Sequence, residues 1–170
     1  MSGAHHEKWA GPGLSPHARE VIDAWVAKYP PERKQSAVLA ALREVQHEND
    51  GYLTPAIMDD VAEYLGLPRI AVYEVASFYS MFETEPCGRH SISVCTNISC
   101  MLRGGEQIRD YIESKLGIKT GESTPDGRIL LKREEECLAA CCGAPMMMVD
   151  HVYHENLTPE KVDEILAKLS

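Results

Sequence analysis

Cys95-Thr-Asn-Ile-Ser-Cys100 is the stretch that organises this chain, and Cys137-Leu-Ala-Ala-Cys141 is its distant echo. Four residues separate the first pair of thiols, three separate the second, and 36 lie between the pairs. Each pair fixes two ligands through one local turn, and folding brings the two turns together. Four thiolates in that pattern suit a soft metal centre, either zinc or an iron–sulfur cluster.

Outward from the thiols, the upstream flank alternates. In Ser91-Ile-Ser-Val-Cys95, Ile92 and Val94 alternate with serines, which is a strand period that delivers Cys95 at the strand's carboxyl end. Residues 96–99 read as a loop, with Cys100 near the start of a helix that runs to about Leu116 and stops at Gly117. Residues 118–123 read as a short strand, Pro125-Asp-Gly127 as a turn, and 129–133 as a strand leading toward Cys137. Residues 146–149 and 151–153 read as strand or hairpin bending at Asp150, and Thr158-Pro159 opens a last helix. A unit of this order packs helices on a small mixed sheet, with all four thiols in loops at one sheet end.

The first half reads as a helical bundle. Residues 14–29 carry apolar groups at helical spacing behind the capping pair Ser15-Pro16. A second helix spans about 32–49 with Val38, Ala41, Leu42 and Val45 inward; Thr54-Pro55 opens a third and Pro68 a fourth. His47, Glu48 and Asp50 read as a solvated helix end. Tyr73, Phe78, Tyr79 and Phe82 read first as core and second as a docking face for a partner.

Composition limits the function. The net charge of −9, with no basic cluster, argues against a nucleic-acid surface. No apolar run is long enough to span a bilayer, so no direct membrane span is expected. Residues 1–13 lack a hydrophobic signal segment and read as a flexible tail, with His5-His6 as solvated polar sequence. Six cysteines without a secretion signal point to a reducing compartment, where metal ligation outweighs a disulfide framework.

Weighed singly, Cys95, Cys100, Cys137 and Cys141 form the candidate ligand set, against the alternative that they are buried inert thiols. Cys142 adjoins Cys141, and on chemistry alone either one suits the ligand position. Cys142 and Cys87 are taken as spectators. His90, His151 and His154 read as strand-surface histidines. Spacing leaves zinc and [2Fe–2S] open. Gly104-Gly105 and Gly143 would let backbone approach an anionic centre closely, though a glycine pair also suits a plain loop leading into a helix. The chain has no acid, base or nucleophile constellation and no Gly-rich phosphate fingerprint of a dinucleotide site. It also lacks the C-x-x-C pair of a thiol–disulfide exchange protein.

Cys95-Thr-Asn-Ile-Ser-Cys100, Thr124-Pro-Asp-Gly127, Glu136-Cys-Leu-Ala-Ala-Cys141 through Ala144-Pro145, and Glu155-Asn-Leu-Thr-Pro159 resemble the E-subunit family of bacterial NADH:quinone oxidoreductase, respiratory complex I. Glu48-Asn-Asp-Gly-Tyr52 and Val75-Ala-Ser-Phe-Tyr79 extend the resemblance over nearly the whole chain.

The resemblance implies an α+β protein: a helical bundle over 14–84, then a thioredoxin-like α/β domain with a small mixed sheet over 85–170. It implies one [2Fe–2S] cluster on Cys95, Cys100, Cys137 and Cys141, exchanging one electron with FMN on a partner flavoprotein subunit that also binds NADH. Other peripheral-arm subunits would be neighbours, on the cytoplasmic side of the membrane. An equivalent diaphorase subunit of an NAD-linked hydrogenase or formate dehydrogenase is the close alternative, and a zinc-stabilised interaction module the alternative of another class. One departure is visible. The family commonly has glycine where this chain has Ala139, and an alanine tolerates positive φ poorly, so an adjusted loop is expected there.

Overall fold

The computed structural model describes residues 13–133 and 137–169. The tail read over residues 1–13, with His5-His6, lies outside them apart from Gly13, as do Glu134 to Glu136. The chain divides into two compact units, one ending at Pro86 and the other beginning at Cys87.

The first unit is helical. Helix α1 (Pro16–Val26) starts where Ser15 Oγ accepts from the Ala18 N–H, and proline occupies its first turn. Helix α2 (Val38–Glu48) buries the four residues expected of it, Val38, Ala41, Leu42 and Val45. The segment before it is not part of one long helix. Pro31–Ala37 is a 3-10 stretch broken at Arg33, which takes φ −117°. Helix α3 (Pro55–Leu65) is capped by the Thr54 hydroxyl at one end and by Gly66 at φ 67° at the other. Helix α4 (Arg69–Phe78) follows. Leu42, Val45, Ile57 and Val61 have no exposed surface. Each such side chain contributes about 1.5–3 kcal/mol through burial.

Two expectations for this unit are corrected. Phe78 is 80% exposed and Tyr79 also faces solvent, their rings meeting edge to face with centroids 5.0 Å apart. Of the aromatic run, Phe82 is buried and Tyr73 half-buried, so only part of it is core. Glu48 is not simply solvated. It accepts a hydrogen bond from Ser15 Oγ at 2.8 Å and so ties the start of α1 to the end of α2.

The second unit holds a four-stranded mixed sheet in the order β2-β1-β3-β4. Strand β1 (His90–Val94) pairs in parallel with β2 (Ile129–Leu131) and antiparallel with β3 (Met147–Val149). Strand β4 (Val152–His154) completes a hairpin with β3. Its two turn residues, Asp150 and His151, take φ 47° and 70°, the geometry of a tight two-residue hairpin. Asp150 also binds His90 Nδ1 at 2.6 Å and the Ser91 N–H at 2.8 Å.

Between β1 and β2 lie α5 (Ile98–Leu102) and α6 (Gly105–Leu116). The single helix expected here is broken at Gly104, whose φ of 92° turns the chain. Residues 118–123 do not form a strand: Ser123 makes one isolated bridge to Leu130. Helix α7 (Pro159–Leu166), capped by Thr158, packs Val162 and Leu166 into the core with Ile92, Ile112, Ile129 and Met147.

Candidate metal centre

The topology gathers the thiols. Cys95 leaves β1 at its carboxyl end. Because β3 is antiparallel to β1, Met146 arrives at that same end, and the Cys95 N–H donates to Met146 O at 3.2 Å. Parallel β2 exits there as well, and the chain then runs to Cys137.

Cys100 lies in α5. Gly105 lets α6 begin against the first thiol pair: a Cβ there would stand 2.9 Å from Cys95 O and from the Cys100 carbonyl carbon and oxygen. The close approach read from Gly104-Gly105 therefore falls on Gly105.

The second pair sits on a tight loop. Leu138 is buried in one apolar cluster with Cys95, Cys100, Ala144 and Met146, which brings the Cys137–Cys141 loop onto the first pair. Ala139 takes φ 60°, so the alanine itself adopts the left-handed conformation that a glycine takes without strain. Its N–H points at Cys137 Sγ, 3.3 Å away. Residues Cys141–Gly143 form a 3-10 turn, closed by the Gly143 N–H on Ala140 O at 3.0 Å. Ala144-Pro145 is a cis peptide. Arg103 donates to Ala144 O at 3.4 Å.

Cys95 and Cys100 are buried, while Cys137, Cys141 and Cys142 are exposed. The centre thus has an inner wall and an outer one. Burial pushes the Cys100 thiol up to about 11; the hydrogen bond with Cys95 and the nearby sulfurs of Cys95 and Cys141 push the same way, against a backbone contact with Met146. Thiols placed so close disfavour thiolates unless a cation joins them, and a bound metal supplies that charge as the proton leaves.

The two soft-metal readings ask for different sulfur arrangements. A zinc tetrathiolate needs all four sulfurs roughly 3.8 Å apart, given Zn–S bonds of about 2.3 Å. Among the described residues no three cysteine sulfurs lie within 4.8 Å of one another. A two-iron centre asks only for pairs, one pair to each iron. Two short-range thiol pairs supply one pair to each iron, so the donor set fits [2Fe–2S].

Cys87 precedes β1 and so lies toward the strand's opposite end. The other grouping of metal-capable side chains among the described residues is His17, Glu44 and Glu48 in the helical unit, where His17 Nε2 pairs with Glu44 at 3.4 Å. Arg103 and Glu155, which both touch the 143–144 segment, escaped the sequence reading. Gly143 was the one signal for Glu155, since a Cβ there would collide with that side chain.

A mixed sheet with thiol pairs gathered at the carboxyl end of β1 defines an α+β protein with a candidate thiolate site and a helical unit. Comparison with known proteins narrows this. Residues 22–170 match the thioredoxin-like [2Fe-2S] ferredoxin family. The NADH-quinone oxidoreductase E-subunit 2 of Rhizobium meliloti (strain 1021) is 45% identical over 148 residues, covering 87% of this chain and 86% of that protein. The corresponding E-subunit of Rickettsia bellii (strain RML369-C) is 44% identical over 144 residues, covering 85% and 86%. The mitochondrial NADH dehydrogenase [ubiquinone] flavoprotein 2 of Dictyostelium discoideum is 40% identical, covering 87% of this chain and 60% of that one. An NAD+-reducing [NiFe]-hydrogenase in its air-oxidized state shares the fold, with a TM-score of 0.68 at 21% identity; the likeness covers 78% of this chain and 22% of the hydrogenase chain. The chain belongs to the thioredoxin-like [2Fe-2S] ferredoxin family.

Proposed function

We propose that this chain is the [2Fe–2S] electron-transfer subunit of an NADH:quinone oxidoreductase, with Cys95, Cys100, Cys137 and Cys141 as its ligands. The observation that carries this is the convergence of both thiol pairs at one end of the sheet, in a chain 45% identical to an oxidoreductase E-subunit along 87% of its length. When bound, the cluster supplies a one-electron reservoir.

The chain's own residues hold and shape that reservoir. Leu138, Ala144 and Met146 wall off the inner thiols from water. The Ala139 N–H directed at Cys137 Sγ favours negative charge on that sulfur. Cys137 and Cys141 form the exposed wall, the natural side for electron exchange. Beside Cys100, Ile98 and Leu102 are 66% and 76% exposed, an apolar rim at the end of the sheet where the thiols gather. An exposed apolar rim of this kind suits a protein partner.

The partner in this reading is the flavoprotein subunit that carries FMN and binds NADH, with other peripheral-arm subunits around it. No helix among the described residues is long and apolar enough to cross a membrane. We place the chain in the peripheral arm, on the cytoplasmic side. The diaphorase of a hydrogenase is the second reading; at 21% identity the hydrogenase likeness supports the fold alone.

The test is electron transfer between purified proteins. The chain is loaded, reduced with dithionite, freed of excess reductant and mixed anaerobically with oxidised flavoprotein. The expected result is loss of the chain's paramagnetic signal with bleaching of the flavin. No transfer, with both proteins intact, contradicts the proposal.

A further inference from the structure

Glu155 occupies the space where a side chain at position 143 would stand. A Cβ added to Gly143 would lie 2.5 Å from Glu155 Cγ, and closer still to its carboxyl carbon and Oε2. The backbone fixes this placement. The Asn156 N–H donates to Gly143 O at 2.6 Å and the Leu157 N–H to Pro145 O at 2.9 Å. Asn156 itself takes φ 50°, which turns the chain over the loop. A carboxylate is therefore strapped against the ligand loop, two residues beyond Cys141. Among the described residues no cation pairs with it. Two cations stand on neighbouring carbonyls: Lys161 Nζ donates to Asn156 O at 2.9 Å, and Arg103 donates to Ala144 O at 3.4 Å.

We propose that the Glu155 carboxylate sets the reduction potential of the centre, by placing a fixed negative charge against the loop that holds Cys141. This rests on the ligand assignment above. Two ferric ions, two sulfides and four thiolates sum to about −2, and one added electron makes about −3. A neighbouring carboxylate penalises the more negative state, so it lowers the potential. Arg103 acts in the opposite sense from the adjacent residue. Both side chains are exposed, so salt weakens both effects.

The experiment is a dithionite titration of the loaded full-length chain, followed by electron paramagnetic resonance, at low and high ionic strength. Iron and sulfide are measured for every sample. Glu155→Gln keeps the shape and removes the charge. It raises the reduction equilibrium constant about threefold to tenfold, up to about 59 mV for one electron. Glu155→Asp stays near wild type, Arg103→Gln shifts downward, and salt narrows every gap.

An unchanged potential in fully loaded Glu155→Gln overturns the proposal. So does a shift of the same sign in Arg103→Gln, because a general disturbance of the loop would then explain both. Loss of iron in Glu155→Gln overturns it too, since a purely electrostatic role predicts full loading. A wild-type chain without iron fails earlier, at the ligand assignment, and its own metal content tells the two failures apart.

Discussion

Ala139 directs its N–H at Cys137 Sγ, 3.3 Å away, and does so from a backbone held at φ 60°. The left-handed conformation costs an alanine about 1–2 kcal/mol. Glycine removes that strain but loses about 0.4–1 kcal/mol to the freer unfolded chain. Ala139→Gly is therefore expected to stabilise the loaded chain by roughly 0.5–1 kcal/mol. Denaturant unfolding of the two proteins at equal iron content checks it. A less stable glycine variant would show that the alanine is not strained.

Gly105 is a packing requirement. The atoms that a Cβ there would meet at 2.9 Å are all backbone, so no side-chain rotation relieves the clash. Gly105→Ala is expected to destabilise by about 1–3 kcal/mol. Because the displaced atoms belong to Cys95 and Cys100, iron content should fall as well. Normal loading and normal stability together would mean that α6 starts farther from the thiols than described.

Leu102 tests the docking rim. Leu102→Glu changes an exposed side chain, so stability and iron content should stay at wild-type values. Association with the flavoprotein should weaken by tenfold or more, about 1.4 kcal/mol. Calorimetric titration of one protein into the other measures it. Unchanged affinity would move the interface elsewhere, with the exposed Phe78 and Tyr79 as the next surface to test.

Glu113 predicts a pH dependence. The Lys119 ammonium, then the Thr120 N–H and hydroxyl, hold its carboxyl down at about 2, below an ordinary value of 4.5. Its folded value is depressed, so its contribution is complete above pH 4.5 and is lost as pH falls toward 2. Glu113→Gln should be less stable than wild type at neutral pH, and the gap should close between those limits. Thermal melts of both proteins across that range decide the point; a gap that does not change with pH would remove Glu113 from the account.

Where local chemistry dictates local structure, the sequence was a sound guide. Ser15-Pro16, Thr54-Pro55 and Thr158-Pro159 each start a helix through a hydroxyl that accepts an N–H, and Gly66 stops one. The stripe Val38, Ala41, Leu42, Val45 is buried as its spacing requires. The two tight thiol spacings pointed to a soft metal centre, and spacing by itself left zinc and [2Fe–2S] open.

What escaped depends on the third dimension. Helical spacing places Phe78 near its neighbours but says nothing of what covers it, and it is 80% exposed. Gly104-Gly105 reads as a pair, yet one residue turns the chain at φ 92° and the other lets backbone approach backbone. The run 118–123 reads as a short strand in sequence but makes only one bridge, at Ser123. Glu155 lies 14 residues from Cys141, and only the folded loop brings it to Gly143.

The most direct measurement is iron, acid-labile sulfide and electron paramagnetic resonance on the purified chain and its single cysteine-to-serine variants. The wild type should carry about two iron and two sulfide per chain and give a half-integer-spin signal on one-electron reduction. Cys95→Ser, Cys100→Ser, Cys137→Ser and Cys141→Ser should lose or degrade that signal, while Cys87→Ser and Cys142→Ser keep it. A colourless, zinc-bearing wild type, or full iron and sulfide in the four ligand variants, would contradict a diiron centre held by these thiols.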